Sequence, residues 1–152
     1  MRLILVCAGT AMLLAGCAFE PTAKFNVTAM STSEAAEAAA LISAYRVSHG
    51  LSPVAVDGRL NRAAEQQART VAAAGQLDHG DFPRRMDSFG IMGYSAENLT
   101  AGRQTVTEAV DSWKASPPHN RNLLMPQARH VGLARADSAS SYRRYWALVL
   151  GQ

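Results

Sequence analysis

The residues of this chain that could carry chemistry lie in three short stretches. They centre on His79, on Glu97, and on the segment from Trp113 to His119. Imidazole and carboxylate groups are the side chains that ligate a divalent metal or transfer protons near neutral pH. His79, Glu97 and His119 are therefore the first candidates for a functional site, although no cysteine lies near them as a nucleophile.

Residue types alone leave two interpretations of this trio open. Two imidazoles and one carboxylate could hold Zn²⁺ and leave one coordination position for water. The same groups could instead form a hydrogen-bonded cluster that fixes loops and binds no metal. The long gaps between them match no compact motif such as His-Glu-x-x-His, so spacing alone favours the structural interpretation.

Two neighbours of His119 are weaker candidates. Ser116 could act as a nucleophile, but serine before proline at a helix end is typical of a turn, and the chain has no Gly-x-Ser-x-Gly motif. Trp113 lies at helical spacing from Ala109 and Val110, which predicts a position in the core. No catalytic residue is assigned.

The elements that must position these residues are mostly helices. A capping-box pattern at Ser31-Thr-Ser-Glu34 predicts a first helix that runs to Gly50. Asp57 is the predicted N-cap of a second helix, which ends at Gly75. Residues 82–89 are predicted as a short third helix.

The second half of the chain supplies the other two candidate positions. Glu97 lies in a short extended piece, and Thr105-Val-Thr-Glu108 predicts the start of a fourth helix. Pro117-Pro118 must end that helix, which places His119 just beyond it. All three candidates thus fall on turns or element ends, where a scaffold can direct side chains into one cleft.

Two strands close the chain. Residues 130–136 and 142–150 have strand patterns and are joined by a polar connection, which predicts a hairpin. Helices followed by an antiparallel hairpin indicate the α+β class. The part of the chain from residue 33 to residue 152 has the size of one ordinary domain.

The N-terminus has the pattern of an export signal. Arg2 precedes an apolar run that is too short for a permanent membrane span. Leu14-Ala-Gly-Cys17 resembles the bacterial lipoprotein processing box, which predicts a signal peptide over residues 1–16 and lipidation of Cys17. An ordinary signal peptide with an incidental cysteine is the alternative. Residues 17–32 are predicted to be the lipidated cysteine and a tether.

Acylation of Cys17 would make a membrane the first partner of this protein. Two or three acyl chains on one residue give stable attachment. Because Cys7 would be removed with the signal, no thiol would remain for a disulfide. We expect an exported protein that is lipid-anchored in the cell envelope, and Ala18 after the cysteine favours the outer membrane, facing the periplasm.

Charge excludes one class of partner. The chain has 15 lysine and arginine residues against 12 acidic ones, a formal net charge of +3. The basic residues are scattered and adjacent only at Arg84-Arg85 and Arg143-Arg144. Nucleic-acid binding needs a basic stripe, so we expect no nucleic-acid partner.

A longer series of residues, from about Leu41 to Gly151, carries a family resemblance. Its members in chain order are Leu60-Asn61-Arg62-Ala63-Ala64, His79, Arg85, Gly93-Tyr94, Glu97-Asn98-Leu99, Gly102, Val110-x-x-Trp113, Ser116-Pro117-x-His119, Asn122-Leu123-Leu124, Val131-Gly132-Leu133 and Tyr145-Trp146-Ala147-Leu148-Val149-Leu150-Gly151. In order and spacing this series resembles the CAP (SCP-like) superfamily, which includes cysteine-rich secretory, antigen-five and pathogenesis-related proteins. The match is to its short, cysteine-free bacterial branch.

The resemblance implies a three-layer α-β-α sandwich, with helices on both faces of a small antiparallel sheet. It also implies that His79, Glu97 and His119 meet in a central cleft, where many eukaryotic members hold a divalent cation with two histidines and two acids. Ser116 stands in place of the second acid. Since a hydroxyl replaces an anionic ligand there, we expect weaker metal affinity. Pro118 stands where bacterial relatives often have glycine, which leaves the local loop geometry unpredicted.

Three functions remain open for such a protein. In the favoured one, the domain is a non-catalytic binding module whose His/Glu cleft takes a lipid, an envelope component or a protein partner. In the second, it is a metal-assisted hydrolase of envelope peptides, with Glu97 as base and a cation such as Zn²⁺ on His79 and His119. In the third, it is a purely structural interaction domain. The fold alone does not distinguish among these three functions, because function depends on the residues of the functional site.

Overall fold

A computed structural model describes residues 23–152 of the chain. Within that range the elements, in chain order, are β1 (Val27–Ser31), α1 (Ala35–Ser48), β2 (Ala55–Val56), α2 (Gly58–Ala74), α3 (Phe82–Ser88), β3 (Ser95–Ala101), α4 (Val106–Ala115), α5 (Pro117–Leu123), β4 (His130–Ser138) and β5 (Arg144–Gly151). No helix in this part of the chain is long and apolar enough to span a membrane.

The C-terminal hairpin of β4 and β5 forms the centre of the sheet. The strands follow the order β1-β4-β5-β3, and the three contacts along this path are antiparallel. The short strand β2 pairs with β4 in parallel. The predicted hairpin is therefore confirmed, and β3, which carries Glu97, lies at one edge of the sheet.

Alternation along the central strands separates two hydrophobic cores. Because successive side chains of a strand point to opposite faces, Trp146, Leu148 and Leu150 pack with α1 and α4, whereas Tyr145 and Val149 pack with α2. Helices thus cover both faces of the sheet. The α+β class and the three-layer arrangement are confirmed.

Helix α2 begins and ends where local signals predicted. The Oδ1 atom of Asp57 accepts hydrogen bonds from the amides of Arg59 (2.7 Å) and Leu60 (3.1 Å), which satisfies two free donors of the first turn. At the other end Gly75 has φ +69°, the left-handed conformation that commonly terminates a helix. The turn that carries His79 follows directly.

Gly132 on β4 brings the backbone of α2 into direct contact with the sheet. A Cβ atom at this position would clash with the backbone of Leu60 and Asn61. The side chain of Asn61 reinforces the contact, because its Oδ1 accepts from the amide of Leu133 at 3.0 Å. Only a residue without a side chain allows this approach.

We expect Gly132→Ala to lower the free energy of unfolding by about 1–3 kcal/mol, because the added methyl group must push α2 away from β4. Chemical denaturation measures the change. Gly58→Ala is the matched control, since its Cβ would lie at an ordinary 3.7 Å from the Arg62 side chain. Equal stability of Gly132→Ala and the wild type would contradict the close approach.

The predicted tether is wrong in its second half. Residues 27–31 form β1, which pairs with β4, so the domain begins before residue 33. An edge strand is held by backbone hydrogen bonds, and its side chains here show no clear alternation of buried and exposed positions. The predicted signal peptide, Cys17 and the first residues of the tether lie outside the described residues.

The predicted capping box at the start of α1 is also wrong. The helix begins at Ala35, and the N-cap Glu34 makes no side-chain capping bond. Its carboxylate instead accepts from Ser31 Oγ at 2.6 Å and from Arg135 Nε, on β4, at 3.0 Å. The Glu34 carboxylate pairs with Arg135 and is therefore not used for the local capping box.

Helix α5 was not predicted, and it moves His119 from a loop into a helix. Helix α4 ends at Ala115 before Pro117-Pro118, as expected. The same prolines then occupy the first turn of α5. The missing N–H of proline costs no hydrogen bond there, because the N–H groups of the first turn have no carbonyl partner within the helix. The predicted N-cap of α4 is confirmed, since Thr105 Oγ1 accepts from the amide of Glu108 at 3.1 Å, whereas the Glu108 carboxylate accepts from the amide of Gln104 at 2.8 Å.

Candidate functional site

Glu97 is the centre of a buried charge cluster in the middle of β3. Its side chain is only 2% exposed. Oε1 lies 2.8 Å from His79 Nδ1, and Oε2 accepts from Arg85 Nη2 at 2.5 Å. Both carboxylate oxygens are therefore held by cationic or ionisable partners. The structure brings His79 and Glu97 together, an arrangement that the family resemblance implied.

Arg85 is the cleft residue that sequence reasoning did not assign to the site, although it belongs to the series that carries the family resemblance. Asp81 caps α3 by accepting from the Arg84 amide at 3.1 Å, which starts the helix just before Arg85. The Arg85 guanidinium also donates from Nη1 to the carbonyl of His79 at 3.1 Å and lies 5.5 Å from the ring centroid of Phe82. Its membership of that series is the only signal that could have drawn attention to Arg85, because its contact with Glu97 follows no local pattern.

The turn that carries His79 is fastened to α2. Gln67, buried on α2, donates from Nε2 to the carbonyl of Asp78 at 2.5 Å. Asp78 Oδ1 in turn accepts from the amide of Gly80 at 2.8 Å. The His79 side chain remains 53% exposed, and the contact with Glu97 uses Nδ1 only. Nε2 is therefore the nitrogen left for a ligand.

Two asparagines dock α5, the helix that carries His119, on β3. Asn98 Nδ2 donates to the carbonyl of His119 at 3.0 Å. Asn122 Nδ2, in the same helix as His119, donates to the Glu97 carbonyl at 3.2 Å and to Asn98 Oδ1 at 2.9 Å. Among the described residues no side-chain hydrogen bond joins His119 to Glu97. His119 is thus adjacent to the cluster but not part of its hydrogen bonds.

Ser116 sits at the junction of α4 and α5. Its carbonyl accepts from the Asn120 amide at 2.8 Å, and its hydroxyl makes no capping bond to α5. Ser116 is therefore a half-buried residue and the N-cap of the helix that carries His119. This is the turn position expected for serine before proline.

The free edge of β3 is covered by the helices that follow it. The carbonyl oxygens of Glu97 and Leu99, two residues apart, accept from the side chains of Asn122 and Trp113, the latter at 3.1 Å. Trp113 is fully buried, which confirms its predicted core position. Exposed strand edges invite pairing with other chains, and here side chains block it.

Burial and neighbouring charges shift two pKa values in the cleft. Burial raises the pKa of Glu97 above its ordinary value of 4.5, although Arg85 and His79 act in the opposite direction. Burial, together with the nearby charge of His79, lowers the pKa of His119 below its ordinary value of 6.5. At neutral pH the cleft therefore offers a neutral imidazole beside a carboxylate that is already paired.

The shifted pKa of His119 predicts a specific pH dependence of stability. Below about pH 6.5 the unfolded chain binds a proton at His119 that the folded chain resists, so stability falls as the pH drops from 6.5 towards the lower folded pKa. Thermal melting between about pH 5 and 8 measures the slope. His119→Gln should flatten this part of the curve, and identical slopes for variant and wild type would contradict the assignment.

The donor set does not fit a three-ligand cation site as it stands. Among residues 23–152 no group of three or more His, Cys, Asp or Glu side chains is placed to hold a metal ion. In addition, the Arg85 guanidinium occupies Oε2 of Glu97, the carboxylate that lies beside His79. A fixed positive charge repels a cation at the position where an anionic ligand should attract it.

An open pocket elsewhere on the protein does not include the His79–Glu97 pair. It has a volume of about 560 Å³ and is lined by Thr28, Gln104, Asp137, Ser138, Arg143 and Arg144. Its one carboxylate, on Asp137, is neutralised by Arg144 Nε at 2.9 Å. The pocket contains none of the predicted site residues and no imidazole.

Comparison with known proteins identifies relatives of this chain. The model of the cysteine-rich secretory protein family (CAP) matches residues 39–150. The protein YkwD of Bacillus subtilis (strain 168) is 32% identical over 106 residues, which make up 66% of this chain and 41% of YkwD. The chain thus spans less than half the length of that relative.

Solved structures share the architecture. An outer surface protein from Borrelia burgdorferi has a TM-score of 0.71 at 19% identity, covering 84% of this chain and 98% of that one. An extracellular protein containing an SCP domain, from Bacillus anthracis str. Ames, has a TM-score of 0.67 at 19% identity, covering 76% and 39%. Because the family model spans most of the chain and these structures share its fold, the chain belongs to the cysteine-rich secretory protein (CAP) family.

Proposed function

We propose that this protein is exported, is held on an envelope membrane through acylated Cys17, and uses its CAP domain as a binding module without turnover. The observation that carries the proposal is the state of Glu97. Its carboxylate is buried and both of its oxygens have partners, His79 and Arg85. A general base needs a free oxygen within reach of the substrate's proton. Glu97 does not offer one.

The groups that remain suit recognition of a polar ligand. His79 offers Nε2, and His119 is kept neutral by burial, so each imidazole can donate or accept one hydrogen bond. Ser116 adds a hydroxyl in the loop before His119. Such a set favours a ligand with hydroxyl, carbonyl or phosphate oxygens, found in lipid headgroups, other envelope components and protein partners.

Membrane attachment is the second part of the proposal. The lipoprotein box at Leu14 to Cys17 supports it, and the outer surface and extracellular descriptions of the structural relatives agree with export. We expect Cys17→Ser to abolish labelling by a fatty-acid analogue and to release the protein from the membrane fraction. Cys7→Ser is the matched control and should leave both unchanged. A Cys17→Ser protein that stays in membranes would refute the anchor.

A structural role for the cluster is the second candidate. It is supported by the way Arg85 and His79 tie α3 and the preceding turn to β3. His119 separates the two functions, because its side chain makes no hydrogen bond to Glu97 within the described residues. A binding site predicts that His119→Ala removes the ligand and leaves the melting temperature nearly unchanged. A structural cluster predicts the reverse.

Native mass spectrometry of protein isolated from membranes tests the binding function. We expect wild-type protein to retain an organic ligand that His119→Ala loses. Arg121→Ala, an exposed change on the same helix, should retain it. Equal retention by His119→Ala and Arg121→Ala would contradict a ligand site in the cleft.

A further inference from the structure

We infer that Arg85 is an internal cation that takes the place of a metal ion in this cleft and excludes divalent cations from Glu97. The inference deepens the proposed function, because it states that the ligand is held by the imidazoles themselves and not through a metal. It rests on the placement of one guanidinium group. The two claims can fail separately, because zinc binding and retention of an organic ligand are measured independently.

The contact between Arg85 and Glu97 is almost entirely removed from water. The side chains are 9% and 2% exposed, and the Nη2 to Oε2 distance is 2.5 Å. Charge-assisted hydrogen bonds of this kind are about twice as strong as neutral ones, and a low local dielectric strengthens them further. A cation arriving from solvent must compete with this contact for the same oxygen.

The guanidinium is fixed by more than its ion pair. Nη1 donates to the His79 carbonyl at 3.1 Å, and the ring of Phe82 lies 5.5 Å from the guanidinium carbon. Nε is buried and has no hydrogen-bond partner among the described residues. Arg85 therefore keeps this position even though one buried donor is left unsatisfied, a feature that points to a role for the pair beyond filling space.

Arginine also cannot lose its positive charge by giving up a proton. Its pKa lies far above neutral pH, so the positive charge persists at every physiological pH. Without Arg85, the Oε2 atom of Glu97 would be free beside His79, and His119 lies near enough to His79 to feel its charge. Two imidazoles and one carboxylate are a common donor set for zinc. Arg85 thus occupies the carboxylate oxygen that a cation would need beside His79.

Calorimetric titration of the full chain with ZnCl₂ tests the inference. We expect no His119-dependent zinc binding in the wild type, and at least tenfold tighter binding in Arg85→Met at one ion per chain. The double variant Arg85→Met/His119→Ala should lose the gain. Arg84→Met, a neighbouring exposed arginine on α3, should behave as the wild type.

Zinc titration of the wild-type protein tests the inference even if Arg85→Met does not fold. Zinc binding by the wild type that is as tight as in Arg85→Met, or that disappears in His119→Ala, would overturn it. Arg85→Gln provides a second, smaller change, and ZnCl₂ should raise its melting temperature while leaving that of the wild type in place. Loss of the organic ligand from the cleft would contradict the proposed function but would not alter these zinc titrations.

Discussion

Replacing Arg46 with methionine should lower the free energy of unfolding by about 3–4 kcal/mol, because at least four backbone carbonyls lose a donor at roughly 1 kcal/mol each. Arg46 is fully buried on α1. Among the described residues no carboxylate contacts it, so carbonyl dipoles alone stabilise its charge. Burial lowers the pKa of its guanidinium, yet arginine remains charged.

The bonds of Arg46 connect parts of the chain that lie far apart in sequence. Nε donates to the carbonyl of Ser52 at 2.9 Å, and Nη1 donates to Leu123 at 2.7 Å and Met125 at 2.9 Å. Nη2 donates to Ala128 at 3.1 Å. The end of α1 is thus tied to the segment between α5 and β4. Loss of Arg46 should therefore also loosen α5, the helix that presents the second imidazole of the cleft.

Urea denaturation of Arg46→Met measures the loss, and two variants complete the comparison. Arg62→Met, a surface change on α2, should alter stability by less than about 0.5 kcal/mol. Arg46→Lys should fall between them, since an ammonium group has three donors in place of five. If Arg46→Met were as stable as Arg62→Met, the proposed connection would be refuted.

Replacing Arg85 with methionine should cost about 3–5 kcal/mol at neutral pH, because the Glu97 carboxylate is left buried without its strongest partner. Adding Glu97→Gln should recover most of this loss, since a neutral amide is far cheaper to bury than an unpaired charge. A double-mutant cycle from denaturation curves gives the coupling directly. Additive losses would show that the two side chains do not act as a pair.

The cost of Arg85→Met should also depend on pH. Burial already raises the pKa of Glu97, and removal of Arg85 takes away an opposing influence. For a carboxyl group with a raised folded pKa, the penalty is fully present above that pKa and disappears as the pH falls towards the unfolded value of 4.5. The variant should therefore approach wild-type stability under acid conditions, where Glu97 is protonated in the folded and the unfolded chain alike.

Local signals were enough to predict the elements that end or begin with a recognisable residue. Helix α2 has Asp57 at its N-cap and Gly75 at its end, and the apolar strands of the hairpin are long and distinctive. Strand β1 carries no such signal, because backbone pairing with β4 stabilises it. Helix α5 was missed because prolines that end one helix are equally suited to begin the next.

The cleft could be predicted only in part. His79, Glu97 and His119 have residue types that suggest chemistry, and the family resemblance brought them together. The contacts of Arg85 and Arg46 could not be found in the same way. A long charged side chain reaches partners distant in sequence, and no local pattern records which carbonyl or carboxylate it will meet. For this reason the sequence left a metal site open where the structure has a guanidinium.

We propose that the imidazoles of His79 and His119 contact the ligand together. The most direct test follows the ring nitrogen NMR signals of all four histidines in the full chain while a soluble extract of the cell envelope is added. We predict that His79 and His119 respond with one common midpoint while His49 and His130 stay in place. Four equal responses, or no response at His79 and His119, would contradict a ligand site shared by these two residues.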